Sequence, residues 1–98
     1  MRVKVEILPW LSTAMRPGHI GSIQFEHQLV GSSFRDLLKE LSEIDPAFAN
    51  LIYDAKAGEI RYPAQAIVNE RFLQSLGGLD AKLSEGDTVV FLATYTGG

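Results

Sequence analysis

The chain has 98 residues, of which 46% are hydrophobic and 21% charged, and its formal net charge is −3. This length predicts a single domain over residues 1–98, and the scattered Lys and Arg residues speak against nucleic-acid binding. The absence of cysteine excludes disulfides and thiolate chemistry and makes a cytoplasmic location the default, while no apolar run reaches the roughly 20 residues of a membrane span.

The N-terminal part of the chain predicts a β-hairpin. Residues 2–8 alternate between apolar and polar side chains, which is the pattern of a half-buried strand, and Pro9-Trp10 ends it. Residues 10–19 predict a connecting loop with a turn at Pro17-Gly18. The alternation returns from Ile20 to Leu29, so the two strands are expected to pair.

The clearest helix follows the hairpin. Ser33 is a suitable N-cap, and Asp36 three residues later predicts a capping-box pair. Pro46 disfavours helical geometry at Asp45, so the helix should end there, and Asp45 can cap a second short helix with Pro46 at its first position. The apolar stripe of the first helix consists of Phe34, Leu37, Leu38, Leu41 and Ile44.

The C-terminal part predicts a return to strands. Residues 54–58 form a turn, residues 64–69 a short strand, and residues 71–86 an irregular segment. The last strand runs from Thr88 to about Tyr95. A hairpin, a crossover helix and a terminal strand returning beside the first predict an α+β fold of the β-grasp (ubiquitin-like) roll type, with a mixed four- to five-stranded sheet packed on one main helix.

The sequence gives no indication of a catalytic or metal site built from side chains. His27 lies on the apolar face of its predicted strand, which favours a structural role, and His19 lies in a Gly-rich turn, which favours exposure. Neither has partners at metal-ligand spacing. Asp36 and Glu40 are interpreted as part of the solvated helix face. We therefore expect the protein not to be an enzyme acting alone and to bind no metal.

The segment Thr96-Gly97-Gly98 directly follows the predicted last strand. A glycine tail carries no side chains and allows another surface to approach the backbone closely, so it can enter a narrow channel and present the Gly98 carboxylate to a reagent. A frayed end without a role is the alternative. Because no other residues offer chemistry, we interpret Gly97 and Gly98 as the functional site.

Several segments together resemble a known family, the ubiquitin-like sulfur carriers, which include the molybdopterin synthase small subunit and the thiamine sulfur carrier. The most specific part is Leu83-Ser-Glu-Gly-Asp-Thr-Val89 with Gly97-Gly98 one strand later. The other matching segments are Val3-x-Val5-x-Ile7, the capped helix Ser33-Phe-Arg-Asp-Leu-Leu-Lys-Glu-Leu41, and Ala66-Ile-Val-Asn69.

The resemblance implies a mechanism in which the carrier is a co-substrate. A partner adenylating enzyme would use ATP to convert the Gly98 carboxylate to an acyl-adenylate, and a sulfur donor such as a cysteine desulfurase or a rhodanese-like protein would turn it into a thiocarboxylate. The carrier would then deliver sulfur to an acceptor synthase. No cofactor is expected to be bound by the carrier itself.

The resemblance leaves the pathway open. The chain departs from the molybdopterin subunits after its first strand, at residues 8–13, and before the tail, at residues 93–96. Molybdenum-cofactor biosynthesis, amino-acid synthesis and transfer-RNA thiolation are all candidate destinations. Two other functions are a ubiquitin-like modifier that forms isopeptides through Gly98, and a plain β-grasp interaction module.

A docking surface is expected beside the tail. If alternate residues of the last strand face the helix, Val90 and Leu92 face outward, close to Leu8 on the neighbouring strand, and an exposed apolar patch there would indicate a partner surface. Residues 10–19 or 71–86 covering this patch is the alternative. The predicted partner-binding residues are Leu8, Val90, Leu92, Tyr95 and Thr96.

Overall fold

A five-stranded mixed sheet and a short two-stranded ribbon form the β-structure of the protein, described by a computed structural model over residues 1–94. No helix among these residues is long and apolar enough to cross a membrane. The elements are β1 (Arg2–Ile7), α1 (Leu11–Met15), β2 (Ile23–Gln28), α2 (Phe34–Ile44), α3 (Pro46–Leu51), β3 (Tyr53–Asp54), β4 (Glu59–Ile60), β5 (Ala64–Val68), β6 (Arg71–Phe72) and β7 (Thr88–Ala93).

The last strand occupies the centre of the main sheet, whose order is β2-β1-β7-β5-β6. β1 pairs with β2 as the predicted antiparallel hairpin, and β7 returns parallel to β1. On its other side, β7 pairs antiparallel with β5. The predicted strand–helix–strand order and the parallel return of the terminal strand are therefore confirmed.

Alternation along the strands builds the core between the sheet and α2. Val89 and Phe91 on β7 are fully buried, as are Val3 and Val5 on β1. The Phe91 ring meets the Phe48 ring edge-on at a centroid distance of 5.2 Å, a favourable aromatic geometry. The helices contribute the apolar side chains of Phe34, Leu37, Leu38, Leu41 and Phe48, and Ile52 directly after α3 joins them.

The capping residues of α2 confirm the predicted helix start. The Ser33 hydroxyl accepts the Asp36 N–H, and the Asp36 carboxylate accepts the N–H groups of Ser32 and Ser33 at 2.9 and 3.1 Å. These backbone hydrogen bonds hold the pKa of Asp36 below its usual range. The prediction that Asp36 is simply part of a solvated face is wrong, because its side chain fixes the turn that precedes the helix.

Glu40 has a similar structural role. Its carboxylate accepts the N–H groups of Val30 and Gly31 and contacts His27 Nε2 at 2.7 Å. Partial burial opposes ionisation of Glu40, but these hydrogen bonds outweigh it and lower the pKa of the carboxyl. The structural role predicted for His27 is confirmed, whereas the solvated role predicted for Glu40 is wrong.

Two further predictions need correction. Residues 10–19 are not simply a loop, because Leu11–Met15 forms α1 and buries Leu11 and Met15. Ile44, assigned to the apolar stripe of α2, is 69% exposed. At about 100° per residue, Ile44 lies roughly 80° around the helix from Phe34, so it falls at the margin of the buried face.

The remaining connections agree with the sequence in part. Asp45 caps α3 by accepting the Ala47 N–H, and Asp54 accepts the N–H groups of Lys56 and Ala57 in the predicted turn between β3 and β4. The segment 71–86, predicted as irregular, contains β6 and two short 3₁₀ helices.

Candidate functional site

The end of β7 forms the base of the predicted site. Ala93 pairs with Ala64 on β5, and the Thr94 N–H donates to the carbonyl oxygen of Pro63 at 3.0 Å. The other predicted residues of the tail, Tyr95, Thr96, Gly97 and Gly98, lie outside the described residues. The structure thus places the start of the tail beside β5.

The three predicted docking residues within residues 1–94 lie together on the outer face of the sheet. Val90 and Leu92 are half-buried and alternate with the fully buried Val89 and Phe91. The Leu8 N–H donates to the carbonyl oxygen of Phe91 at 2.9 Å and extends the parallel ladder, which places Leu8 beside Leu92. The sequence left open whether this patch is exposed or is covered by residues 10–19 or 71–86. In the structure its side chains are only partly covered, so neither alternative holds completely.

Sequence reasoning missed two residues that extend this surface. Ile67 on β5 pairs with Val90, and Phe72 on β6 pairs with Ile67, so their side chains share the outer face. Phe72 is about half exposed. The sequence carries no signal for Ile67, because Ala64-Gln-Ala-Ile-Val68 does not alternate between apolar and polar residues and the place of Ile67 follows from its pairing with Val90. We call Leu8, Ile67, Phe72, Val90 and Leu92 the outer patch.

Polar side chains border the outer patch. Glu6 lies opposite Val90 across the parallel ladder, and its carboxylate accepts the Gln24 amide at 3.0 Å. Gln65 pairs with Leu92 on the other side. An apolar centre with a polar border is the usual anatomy of a protein-binding surface.

The described residues offer binding surfaces rather than reactive side-chain clusters. Among residues 1–94, no group of three or more His, Cys, Asp or Glu side chains could hold a metal ion. A groove of about 330 Å³ lies on the inner side of β2, where His27, Ile44 and Asp45 contribute to its wall. Arg16 donates to Asp45, and this hydrogen bond outweighs partial burial and holds the pKa of Asp45 below its usual range.

Comparisons with known proteins identify the family and the fold. The sequence profile of the ThiS family matches residues 24–98. The fold is similar to that of small archaeal modifier protein 1 from Methanosarcina acetivorans, with a TM-score of 0.70 and 20% identity, covering 99% of this chain and 96% of that chain. A search of curated proteins gives no match.

Two further solved structures have the same fold. Urm1 from Trypanosoma brucei has a TM-score of 0.71 and 23% identity, and the match covers 99% of this chain and 95% of that chain. A chain in the BexX/CysO complex of Amycolatopsis orientalis has a TM-score of 0.62 and 19% identity, covering 96% of this chain and 99% of that chain. These matches confirm the predicted ubiquitin-like β-grasp fold.

Proposed function

This chain belongs to the ThiS family, and we propose that it acts as a sulfur carrier whose Gly98 carboxylate is activated by a partner enzyme. The observation that carries the proposal is the extent of the family match, which covers residues 24–98 and so includes β7 and Gly97-Gly98. The position of Thr94 supports it, because β7 ends at Ala93 and Leu8 and Leu92 of the outer patch lie at the same end of the sheet.

The proposed chemistry begins with attack of a Gly98 carboxylate oxygen on the α-phosphorus of ATP. Pyrophosphate leaves, and the resulting acyl-adenylate has AMP as a good leaving group. The terminal sulfur of a persulfide on the sulfur donor then attacks the carbonyl carbon and displaces AMP. A second thiol attacks the resulting acyl disulfide at the donor's sulfur, which releases the thiocarboxylate and leaves the donor in a disulfide with that thiol.

The chain contributes geometry to these steps and its partners contribute reactive groups. Glycine at positions 97 and 98 leaves the backbone without side chains that would obstruct a narrow channel. The outer patch supplies the apolar surface on which the adenylating enzyme and the acceptor synthase would dock. The structure of CysO with BexX supports docking on a partner protein as a mode of action for this fold.

The test is the intact mass of the protein purified from its native host. A mass gain equal to the replacement of one oxygen by sulfur, located at Gly98 by fragmentation, is the expected result. Deletion of Gly97-Gly98 supplies the control and should abolish the gain. Full biological activity of this deletion variant, together with an unmodified terminus in the native protein, would contradict the proposal.

Protein modification through the same terminus is the second candidate function. The similarity to small archaeal modifier protein 1 favours it, since that protein is described as a modifier. Both functions share the adenylation step, but a modifier would form an isopeptide between Gly98 and a lysine of a target. Conjugates of higher mass that disappear when Gly97-Gly98 is deleted would indicate this function, whereas a thiocarboxylate alone would indicate the carrier.

The acceptor remains to be identified by experiment. Incubation of the thiocarboxylate form with candidate synthases, including molybdopterin synthase large subunits and enzymes of amino-acid biosynthesis and transfer-RNA thiolation, would show which one consumes it. The expected cytoplasmic location stays a prediction that cell fractionation checks.

A further inference from the structure

Two exposed aromatic side chains lie at the end of the sheet where β7 stops. Tyr62 is 74% exposed and directly precedes Pro63, whose carbonyl oxygen accepts the Thr94 N–H at 3.0 Å. Tyr62 is therefore close to the end of β7 on the β5 side.

Trp10 lies at the same end of the sheet on the β1 side. It follows Leu8 by two residues, and the Leu8 N–H donates to the carbonyl oxygen of Phe91 at 2.9 Å, so the turn at Pro9-Trp10 lies at the end of the sheet where β7 stops. The Trp10 side chain is 47% exposed. The end of the sheet where β7 stops thus has one exposed aromatic residue on the β1 side and one on the β5 side.

The backbone at Trp10 is strained. Its φ of 84° and ψ of −61° lie in a region that bulky residues rarely adopt. The neighbouring hydrogen bonds hold it there, since the Ser12 N–H donates to Leu8 and the Ala14 N–H donates to the Trp10 carbonyl oxygen, both at 3.0 Å. Residues in such conformations are concentrated at ligand clamps and switch regions, which makes Trp10 a candidate contact residue.

We infer that Trp10 and Tyr62 are contact residues for the adenylating partner, one on each side of the end of β7. This inference rests on the proposed function, in which the Gly98 carboxylate reacts inside that partner. Four residues follow Thr94 in the sequence, and four fully extended residues span at most about 14 Å. The partner must therefore approach Thr94 closely, and its surface around the channel entrance must cover residues beside Thr94.

The two side chains suit such a contact. Tyr and Trp are enriched at the energetically dominant positions of interfaces, because each buries a large apolar ring and retains a polar group that can hydrogen-bond. They lie at the end of the sheet, whereas the outer patch lies on its face. Contacts at the end of the sheet and at the outer patch would together fix the orientation of the carrier on its partner, so that Gly98 can reach the channel.

The experiment compares Trp10→Ala and Tyr62→Ala with Val30→Ala. Val30 is 90% exposed and follows Leu29, whose N–H donates to Met1, so it lies at the opposite end of the sheet and serves as the matched control. The assay is ATP–pyrophosphate exchange by the adenylating partner with varied carrier concentration. We expect the KM for the carrier to rise at least tenfold in each aromatic variant and to stay within twofold of wild type in Val30→Ala.

The outcomes separate the two proposals. No exchange with the wild-type carrier would overturn the proposed function and this inference with it. Exchange with the wild type, but an unchanged KM for both folded aromatic variants, would overturn this inference alone and leave the proposed function standing. Circular dichroism checks that each variant is folded, and Tyr62→Ala is decisive by itself if Trp10→Ala does not fold.

A second measurement needs no alanine substitution. Trp10 is the single tryptophan of the chain, so a carrier labelled with 5-fluorotryptophan gives one ¹⁹F resonance. Addition of unlabelled partner should shift this resonance and reduce its H₂O/D₂O isotope shift, because the indole becomes covered. An unchanged resonance at saturating partner would exclude Trp10 from the contact.

Discussion

Replacing Leu92 with Asp should separate docking from folding. Leu92 is half-buried on the outer face of β7, and the backbone pairing of β7 with its neighbours does not depend on this side chain. The loss of strand preference for Asp costs about 1 kcal/mol. For a domain of this size, we expect the melting temperature to fall by only about 4–8 °C.

The effect on docking should be larger. A carboxylate at this position would be buried against an apolar partner surface without a counter-ion. Substitutions at central interface positions cost about 2 kcal/mol or more, which corresponds to about a 30-fold increase in Kd. The KM for the carrier in ATP–pyrophosphate exchange should rise by this factor.

Phe91, the residue before Leu92, should affect folding stability instead of docking. Phe91 has no exposed surface and packs against the rings of Phe34 and Phe48 at 5.9 and 5.2 Å. Phe91→Ala should therefore cost about 3–5 kcal/mol of folding free energy, and its melting temperature should fall by about 12 °C or more. Leu92→Asp should therefore mainly raise the KM for the carrier, whereas Phe91→Ala should mainly lower the melting temperature.

Thermal unfolding by circular dichroism and exchange kinetics at a temperature where both variants are folded would test this. Val30→Asp, at an exposed position at the other end of the sheet, is the control for added negative charge. The reasoning is refuted if Leu92→Asp keeps the wild-type KM, or if it loses as much stability as Phe91→Ala.

Three further predictions concern the helix start, the acid range and the tail. A Cβ at Gly31 would lie 2.5 Å from the Asp36 side chain, so Gly31→Ala should cost about 1–3 kcal/mol by overpacking, measured by urea unfolding; wild-type stability would contradict this. Because the pKa of Glu40 is lowered in the fold, its contribution should be present above the unfolded pKa of about 4.3 and be lost as the pH falls through the folded value. Glu40→Gln should therefore destabilise the protein by about 1 kcal/mol at pH 7 and weaken the dependence of stability on pH in acid, while an unchanged pH profile would speak against this role. Deletion of Gly97-Gly98 should abolish adenylation at an unchanged melting temperature, and residual exchange activity would show that the reactive carboxylate lies elsewhere.

The sequence predicted those elements whose local signals agree with the final packing. The capping pair of Ser33 and Asp36, the stop at Pro46 and the alternation of β1 and β7 all reflect interactions within a few residues or a simple period. α1 was missed because five residues are too short for a stable helix by themselves. Burial of Leu11 and Met15 against the rest of the protein stabilises it, and this cannot be read from local pattern.

The candidate site was predictable only where one strand defined it. Val90 and Leu92 follow from alternation in β7, but Ile67 and Phe72 join them through the pairing of β5 with β7 and β6, which depends on strand order. The left-handed backbone of Trp10 had no sequence signal, since this region is usually occupied by glycine.

The parallel pairing of β1 and β7 has a mechanical consequence. β1 begins at one end of the sheet and β7 finishes at the other, so tension applied between Met1 and Thr94 acts along both strands. The hydrogen bonds between them then share the force and must yield together, whereas a hairpin pulled from its open end loses its bonds one at a time. A carrier held by its tail in a partner's channel should therefore resist extraction forces that would unzip a hairpin, and single-molecule pulling at these two positions would measure that resistance.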